Sequence, residues 1–245
     1  MLQDVKIVMT GDCAVQVEFK DEITIETSNT VSLFRMALEE AGIPGITETL
    51  QAYRSLMVHY KPEVIRYAQL KEKLEGLLEG LDLSNTGATS DLVTEIPVYY
   101  GGEWAPDIQE VADYEGITVE EVIRRHSTNL NYLYFIGFSP GLPYLGNPEP
   151  IFTIPRRTTP RVKLPRGSVT VWREQTTVFP VDQPGGWNVI GRTPLHLFDL
   201  GRDPAFLLQA GQWVKFRPID WEEYQEIDRQ VEAGTYQVKT WRKEG

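Results

Sequence analysis

The sequence has few of the residues that build covalent cross-links and metal centres. Its 245 residues include one cysteine, Cys13, and three histidines. A single cysteine excludes an internal disulfide framework and any cysteine-rich metal site. No two histidines have the spacing of ligands on one helix face, and there is no HExxH motif. The sequence therefore predicts no metal site.

Other absences bear on location and on partners. No apolar run approaches the roughly 18 residues of a membrane-spanning helix, and the first ten residues, MLQDVKIVMT, lack the pattern of a signal peptide. We therefore expect a cytoplasmic protein with no membrane association. The formal net charge of −11 argues against a nucleic-acid partner.

The chain also lacks a standard nucleotide loop. It contains neither a Walker A motif nor GxGxxG, and its doublets Gly101-Gly102 and Gly185-Gly186 are too short to cradle phosphates. The chain therefore has no standard loop with which to bind a nucleotide. Two other kinds of nucleotide site stay open: one formed by basic residues, and one shared with another protein.

Hydrophobic patterning predicts an α+β protein with two domains. Alternation and helical spacing over residues 1–82 give the order ββαββα, a small sheet with two helices on one face. The polar stretch LDLSNTGATSDL predicts a linker at 83–92. Residues 93–245 hold many short strands separated by turn signals, together with two or three helices, which is typical of a β-barrel.

The individual elements follow from the same patterns. In the first domain we predict strands at 5–9, 14–19, 47–53 and 55–60, and helices at 25–41 and 63–78. In the second we predict strands at 95–99, 132–138, 168–173, 176–179, 187–191, 195–198, 213–218 and 235–241. Its three predicted helices span 106–114, 118–126 and 220–233, and Thr118 is the predicted N-cap of the second.

The most unusual stretch runs from Phe135 to Trp172. It holds seven prolines and four glycines, interleaved with aromatic and aliphatic residues that disordered segments lack. A long apolar segment rich in turn residues inside a compact domain is usually a functional loop. We therefore place the functional site there.

The second half of this stretch is cationic. Six basic residues and no acidic one lie between Arg156 and Arg173. This pattern indicates either an anion site or a solvated β-hairpin with basic outer positions. Arg157 and Arg161 lie four apart, on one face of an extended chain, and are expected to converge on one ligand. As exposed arginines they are expected to contribute little to stability.

Three ordered motifs carry a family resemblance. They are H-x7-Y-x2-GF-x-PG-x2-YL from His126 to Leu145, PRRTTPRVKLPRGSV at 155–169, and FPVDQPGGWNVIGRTP at 179–194. Together they resemble the small subunit of bacterial ATP-dependent 5-oxoprolinase. That family is also called allophanate hydrolase subunit 1 and includes the kinase inhibitor KipI. The same module is similar to part of the carboxyltransferase region of urea carboxylase.

The resemblance implies a fold and a function. The fold is a small N-terminal α/β sandwich domain followed by a cyclophilin-like β-barrel. The function is that of a non-autonomous subunit of a complex that converts 5-oxo-L-proline to L-glutamate with ATP. Its partners would be two further 5-oxoprolinase components, a KipA-like protein and a LamB/YcsF-like protein. Two alternatives stay open: a KipI-like inhibitor of a sensor histidine kinase, and a component of an enzyme that acts on urea or allophanate.

The motifs supply the candidate site residues. His126 is assigned to proton transfer or to capping a helix end, and Arg157 and Arg161 to catalysis by binding charge. Gly185 or Gly186 can adopt a positive φ and allow a ligand to approach the backbone. The alternative for this stretch is a tight barrel hairpin with Trp187 in the core. In the kinase-inhibitor alternative, Phe135, Phe138 and Tyr144 line a groove for a protein. The residues assigned to binding substrate or an anion are Tyr144, Arg156, Gln175, Gly185, Gly186, Trp187, Arg192 and Thr193.

Overall fold

A computed structural model describes residues 4–83, 90–147 and 151–243. Most of the predicted linker at 83–92 lies outside the described residues. The chain divides into two compact units, Met1–Ser90 and Asp91–Gly245. Of the helices in the described ranges, none has the length and apolar character to span a membrane.

The first unit is an antiparallel sheet of four strands in the order β1-β2-β4-β3, with two helices. The predicted order ββαββα is confirmed. The elements are β1 Lys6–Met9, β2 Ala14–Glu18, α1 Ile25–Ala41, β3 Ile46–Gln51, β4 Ser55–Tyr60 and α2 Tyr67–Glu79.

Local signals explain where the two helices begin. The Thr24 side chain accepts a hydrogen bond from the Thr27 N–H, so α1 begins where the sequence predicts. The second helix begins four residues later than predicted. The Lys61 carbonyl accepts hydrogen bonds from both Val64 and Ile65, which makes a separate turn. The Arg66 N–H then donates to the Gln69 side chain at 3.1 Å at the start of α2.

The second unit is a seven-stranded barrel in the order β12-β9-β10-β7-β6-β13-β5, closed by a pairing between β12 and β5. A short strand, β14, pairs beside β5, and β8 with β11 forms a separate two-stranded sheet. The strands are β5 Leu92–Tyr99, β6 Leu130–Ile136, β7 Pro143–Gly146, β8 Arg161–Leu164, β9 Ser168–Trp172, β10 Gln175–Val178, β11 Gln183–Gly185, β12 Asn188–Arg192, β13 Trp213–Ile219 and β14 Thr240–Arg242.

Three helices accompany the barrel: α3 Ile108–Glu115, α4 Val119–Thr128 and α5 Trp221–Glu232. Side chains from α3 and α4 join the inward-facing strand residues in one core. Inward positions alternate along each strand, as in Ile96 and Val98 of β5 or Val169 and Val171 of β9. The predicted α+β class with a barrel is confirmed.

The proline-rich stretch departs from the prediction of a long loop. Strand β7 lies inside the barrel sheet between β6 and β10. Pro143 stands at the first position of this strand, where proline is tolerated. Its carbonyl accepts a hydrogen bond from the Thr177 hydroxyl at 2.6 Å. The prolines thus delimit short strands instead of excluding them.

The predicted strand at 195–198 is wrong, since only an isolated bridge joins Phe198 to Phe206. The Leu197 carbonyl accepts from the Leu207 N–H at 2.8 Å, but the His196 carbonyl accepts from the Arg202 guanidinium at 3.0 Å, so a side chain satisfies that group where a neighbouring strand would. The predicted strand at 235–241 shortens to β14.

Candidate functional site

Four aromatic rings form a row on the outer face of the barrel. Phe135 stacks on Tyr144 with centroids 4.3 Å apart, and Trp187 lies 6.4 Å from Tyr144 and 5.4 Å from Trp172. Leu145 and Val171 point into the core, so alternation turns the neighbouring Tyr144 and Trp172 outward. We call these four aromatic residues the aromatic shelf.

A segment that includes the start of the basic stretch is hydrogen-bonded to the barrel beside this shelf. Residues 154–161, which we call the strap, are held by three hydrogen bonds to the barrel. Arg173 N–H donates to the Ile154 carbonyl at 2.9 Å, and the Asn188 side chain donates to the Pro155 carbonyl at 2.9 Å. Arg157 N–H donates to the Gly186 carbonyl at 2.8 Å. The strap is therefore a fixed part of the site.

Two arginines meet at one end of the shelf. The guanidinium carbon of Arg156 lies 4.0 Å from the ring centre of Trp172 and 5.7 Å from that of Trp187. Arg173 approaches the Trp172 ring at 5.9 Å. Arg173 has a left-handed φ of 51°, which is uncommon for a residue other than glycine. Both cations thus lie beside the same indole.

Intramolecular carboxylates neutralise the other four basic residues of the stretch. Lys163 contacts Asp182 at 2.7 Å, and Arg166 contacts Glu232 at 3.2 Å. Arg157 and Arg161 both contact Asp107. Within residues 4–83, 90–147 and 151–243, no carboxylate lies within ion-pair distance of Arg156 or Arg173. Their positive charge therefore remains available to a ligand.

Asp107 is a functional candidate that sequence reasoning missed. Its carboxylate is 2 % exposed and accepts four hydrogen bonds of 2.7–2.8 Å, one from Arg157, two from Arg161 and one from the Val189 N–H. It precedes α3 as the N-cap residue, yet its side chain makes no cap hydrogen bond. An aspartate before a helix is ordinarily a cap, so the sequence carried no signal of this other role.

Arg157 and Arg161 converge as their spacing predicts, but the carboxylate that they meet belongs to the protein. Arg161 binds Asp107 through both terminal nitrogens at 2.7 Å, and these hydrogen bonds raise the pKa of Arg161. The side chains are only 26 % and 29 % exposed. The premise that these arginines are exposed is therefore wrong, and we expect their substitution to lower stability, because it would leave a buried carboxylate short of a partner. Their catalytic role stays a prediction.

His126 lies in the barrel interior and is fully buried. Its ring stacks on Phe216 with centroids 4.3 Å apart, Nδ1 lies 2.7 Å from the Tyr100 hydroxyl, and Nε2 lies 2.9 Å from the Thr176 hydroxyl. Burial lowers the pKa of His126 to about 3. These surroundings fit a neutral structural histidine and offer no support for proton transfer to a ligand.

Gln175, another predicted binding residue, lies beside the shelf. Gln175 is paired with Trp172 across the β9–β10 turn and is 7 % exposed, and its Oε1 has no hydrogen-bond partner among the described residues.

Neither Gly185 nor Gly186 has a positive φ, so the predicted left-handed glycine at this turn is wrong. A Cβ at Gly185 would lie 2.7 Å from side-chain atoms of Leu164 and Phe179, which makes this glycine a packing requirement.

Arg192 and Thr193 are not part of the shelf. The Arg192 guanidinium lies 4.0 Å from the ring centre of Trp104 and donates to the Arg166 carbonyl at 3.1 Å. The Thr193 hydroxyl accepts from the Leu195 N–H at 3.3 Å and is buried. Tyr144, Arg156 and Trp187 are thus the predicted binding residues that the structure brings together directly.

Comparison with known proteins identifies the class to which this barrel belongs. The model of the family "Carboxyltransferase domain, subdomain C and D" matches residues 5–208. The Kluyveromyces lactis urea carboxylase has the same fold, with a TM-score of 0.81 over 97% of this chain and 24% of that protein, at 17% identity. TTHA0988 is 32% identical with a TM-score of 0.73, and the match covers 84% of this chain and 40% of TTHA0988.

Curated relatives narrow this class further. The Bacillus subtilis (strain 168) relative, named as the B subunit of 5-oxoprolinase, is 35% identical over 89% of this chain and 95% of its own length. The Escherichia coli O157:H7 protein of the same name is 34% identical over 89% of this chain and 97% of its own length. The chain belongs to the family of 5-oxoprolinase B subunits, and the predicted family is thereby confirmed.

Proposed function

We propose that the chain is a non-autonomous subunit of an ATP-dependent 5-oxoprolinase that converts 5-oxo-L-proline to L-glutamate. The observation that carries this proposal is the family membership, with curated relatives named as 5-oxoprolinase B subunits matched over nearly their full length. The geometry agrees with it. Two arginines with no carboxylate partner among the described residues lie beside the aromatic shelf, and they suit a small acid with a planar ring.

The chemistry explains why such a protein needs partners. A lactam carbonyl is a poor electrophile, and transfer of the γ-phosphoryl group of ATP to its oxygen would activate it and release ADP. Water then adds to the activated carbon, the ring C–N bond breaks as the nitrogen takes a proton, and a second water releases phosphate from the acyl phosphate. The chain lacks a standard nucleotide loop, so we assign ATP binding to the complex. The partners are a KipA-like and a LamB/YcsF-like protein.

The two alternative functions have less support. The likeness to urea carboxylase rests on 17% identity, so it bears on the fold and not on a urea substrate. The kinase-inhibitor function stays a prediction. It is testable with an autophosphorylation assay of a sensor histidine kinase in the presence of this chain.

We expect glutamate release from 5-oxoproline only when all partners are present. The isolated chain with ATP should release none, and a mixture with the KipA-like and LamB/YcsF-like proteins should release glutamate and ADP in equal amounts. Mixtures that omit one protein at a time serve as controls. Turnover by the isolated chain would contradict the dependence on partners, and an inactive complete complex of folded proteins would contradict the function itself.

A further inference from the structure

We propose that Arg156 and Arg173 form, over the ring of Trp172, the subsite that binds the substrate carboxylate, and that Asp107 positions Arg156 through the strap. This inference rests on the proposed function, since it names the part of the complex that recognises the acid group of 5-oxoproline. It assigns the carboxylate to this chain and leaves the phosphoryl chemistry to the partners.

The first argument is the distribution of charge. Asp107, Asp182 and Glu232 engage four of the six basic residues in the stretch. The remaining two both lie near the Trp172 ring: Arg156 comes from the strap and stacks at 4.0 Å, and Arg173, the next residue after Trp172, lies 5.9 Å from the ring centre. A guanidinium fork that stacks on an aromatic ring keeps its edge free to bind a carboxylate through two hydrogen bonds.

The second argument is the shape of the surface beside these arginines. Trp187 lies between Tyr144 and Trp172 and is only 7 % exposed, whereas Tyr144 and Trp172 are half-buried and present ring surface against which a flat five-membered lactam can pack. Gln175 is paired with Trp172, and its buried Oε1 has no hydrogen-bond partner within the described residues. A buried acceptor without a partner is rare and costly. The lactam N–H is a donor of the kind that this oxygen lacks.

The third argument concerns the position of Arg156. A long side chain at the surface loses conformational entropy when it is fixed, so a binding arginine benefits from a rigid backbone. The next residue along the strap, Arg157, is held by Asp107 at 2.8 Å and by the Gly186 carbonyl, and Arg161 ends the strap with a two-pronged contact to the same carboxylate. Asp107 therefore fixes the strap at two points beyond Arg156, and the Pro155 carbonyl is held on the other side by Asn188.

The test uses steady-state kinetics of the reconstituted complex. We expect Arg156→Gln to raise the KM for 5-oxoproline at least tenfold and to change kcat less than threefold, since a charge-assisted hydrogen bond to substrate is worth roughly that factor or more. Arg173→Gln should act in the same direction. Inhibition by 2-pyrrolidinone, the lactam without the carboxylate, should be the same in both variants and in the unsubstituted complex. Lys163→Gln, which alters a paired surface cation in the same stretch, is the matched control and should leave KM unchanged.

A double-mutant cycle tests the positioning role of Asp107. We expect Asp107→Asn to raise the KM for 5-oxoproline severalfold at a temperature where the variant is fully folded. In the Arg156→Gln background the same change should have almost no further effect, because the group that Asp107 positions is already gone. Should Asp107→Asn not fold, Arg161→Lys tests the same link, since it keeps the charge and loses the fork.

The outcomes separate this inference from the proposed function. If the complex releases glutamate but Arg156→Gln and Arg173→Gln both keep the original KM, the carboxylate subsite lies elsewhere and the inference fails. Additive effects of Asp107→Asn and Arg156→Gln would make Asp107 a purely structural residue and overturn the second half of the inference. A complex that never releases glutamate refutes the proposed function whichever variant is present.

Discussion

Replacing Gly167 with alanine is expected to destabilise the second unit by roughly 3 kcal/mol or more, the sum of a strained backbone and a steric clash. Gly167 has a φ of +83°, and a Cβ built there would lie 2.3 Å from the Thr193 carbonyl oxygen. That carbonyl belongs to a fixed backbone, because Thr193 N–H donates to the Gly167 carbonyl at 2.9 Å. The clash therefore cannot be relieved by a side-chain rotation.

The measurement is urea unfolding of the isolated chain, followed by tryptophan fluorescence. The matched control is Gly116→Ala at the end of α3, where φ is +66° and no atom lies within 4 Å of the added Cβ. This control isolates the backbone term and should cost about 1 kcal/mol. Equal losses in the two variants would show that the close approach to Thr193 has no energetic weight.

The local features of the fold are the predictable ones. Helix α1 has the bounds that its apolar spacing predicts, and β4 has the bounds that its alternation predicts. Such signals lie within a few residues of one another in sequence. Where a side chain replaces a backbone partner, the prediction fails, as at 195–198, where the Arg202 guanidinium donates to the His196 carbonyl.

In the candidate site, too, local sequence patterns predict some features, and contacts between remote residues determine the others. Sequence patterns predict a site in the proline-rich stretch and select Tyr144, Arg156 and Trp187, whose side chains the structure brings near one another. They do not separate paired arginines from unpaired ones, because the partners are remote. Asp107 lies 50 and 54 positions from Arg157 and Arg161, and Glu232 lies 66 positions from Arg166. No local pattern links such groups before the barrel closes.

The role of His126 escapes sequence reasoning for a related reason. Its position at the end of a helix, after two arginines, suggests either proton transfer or a cap of the helix end. The closed barrel instead places it between Tyr100 and Thr176, 26 and 50 positions away. The Thr176 hydroxyl donates to the Thr170 carbonyl at 3.1 Å, so it accepts from His126 Nε2–H, and Nδ1 accepts from the Tyr100 hydroxyl. The network is therefore complete with a neutral imidazole.

Acidification from pH 6.5 to 5 is expected to destabilise the second unit because of this histidine. Its pKa in the folded chain is about 3, against an ordinary value of 6.5. Between these values the unfolded chain binds a proton that the folded chain does not, so stability is full above pH 6.5 and falls as the pH is lowered. The limiting slope is about 1.4 kcal/mol per pH unit for one such group.

Urea unfolding at pH 7, 6, 5.5 and 5 measures this slope, and His126→Gln removes it. The variant should be less stable than the original chain at pH 7, since glutamine fills the site poorly, but its stability should change less between pH 6.5 and 5. His59→Gln, on β4 of the other unit, is the control and should retain the slope that His126 produces.

The pH range stops at 5 because carboxylates with lowered pKa values, such as Glu232, lose their interactions at lower pH. Equal slopes of the free energy of unfolding against pH in the original chain and in His126→Gln would mean that the buried imidazole accepts a proton in the folded barrel. His126 would then again be a candidate for proton transfer.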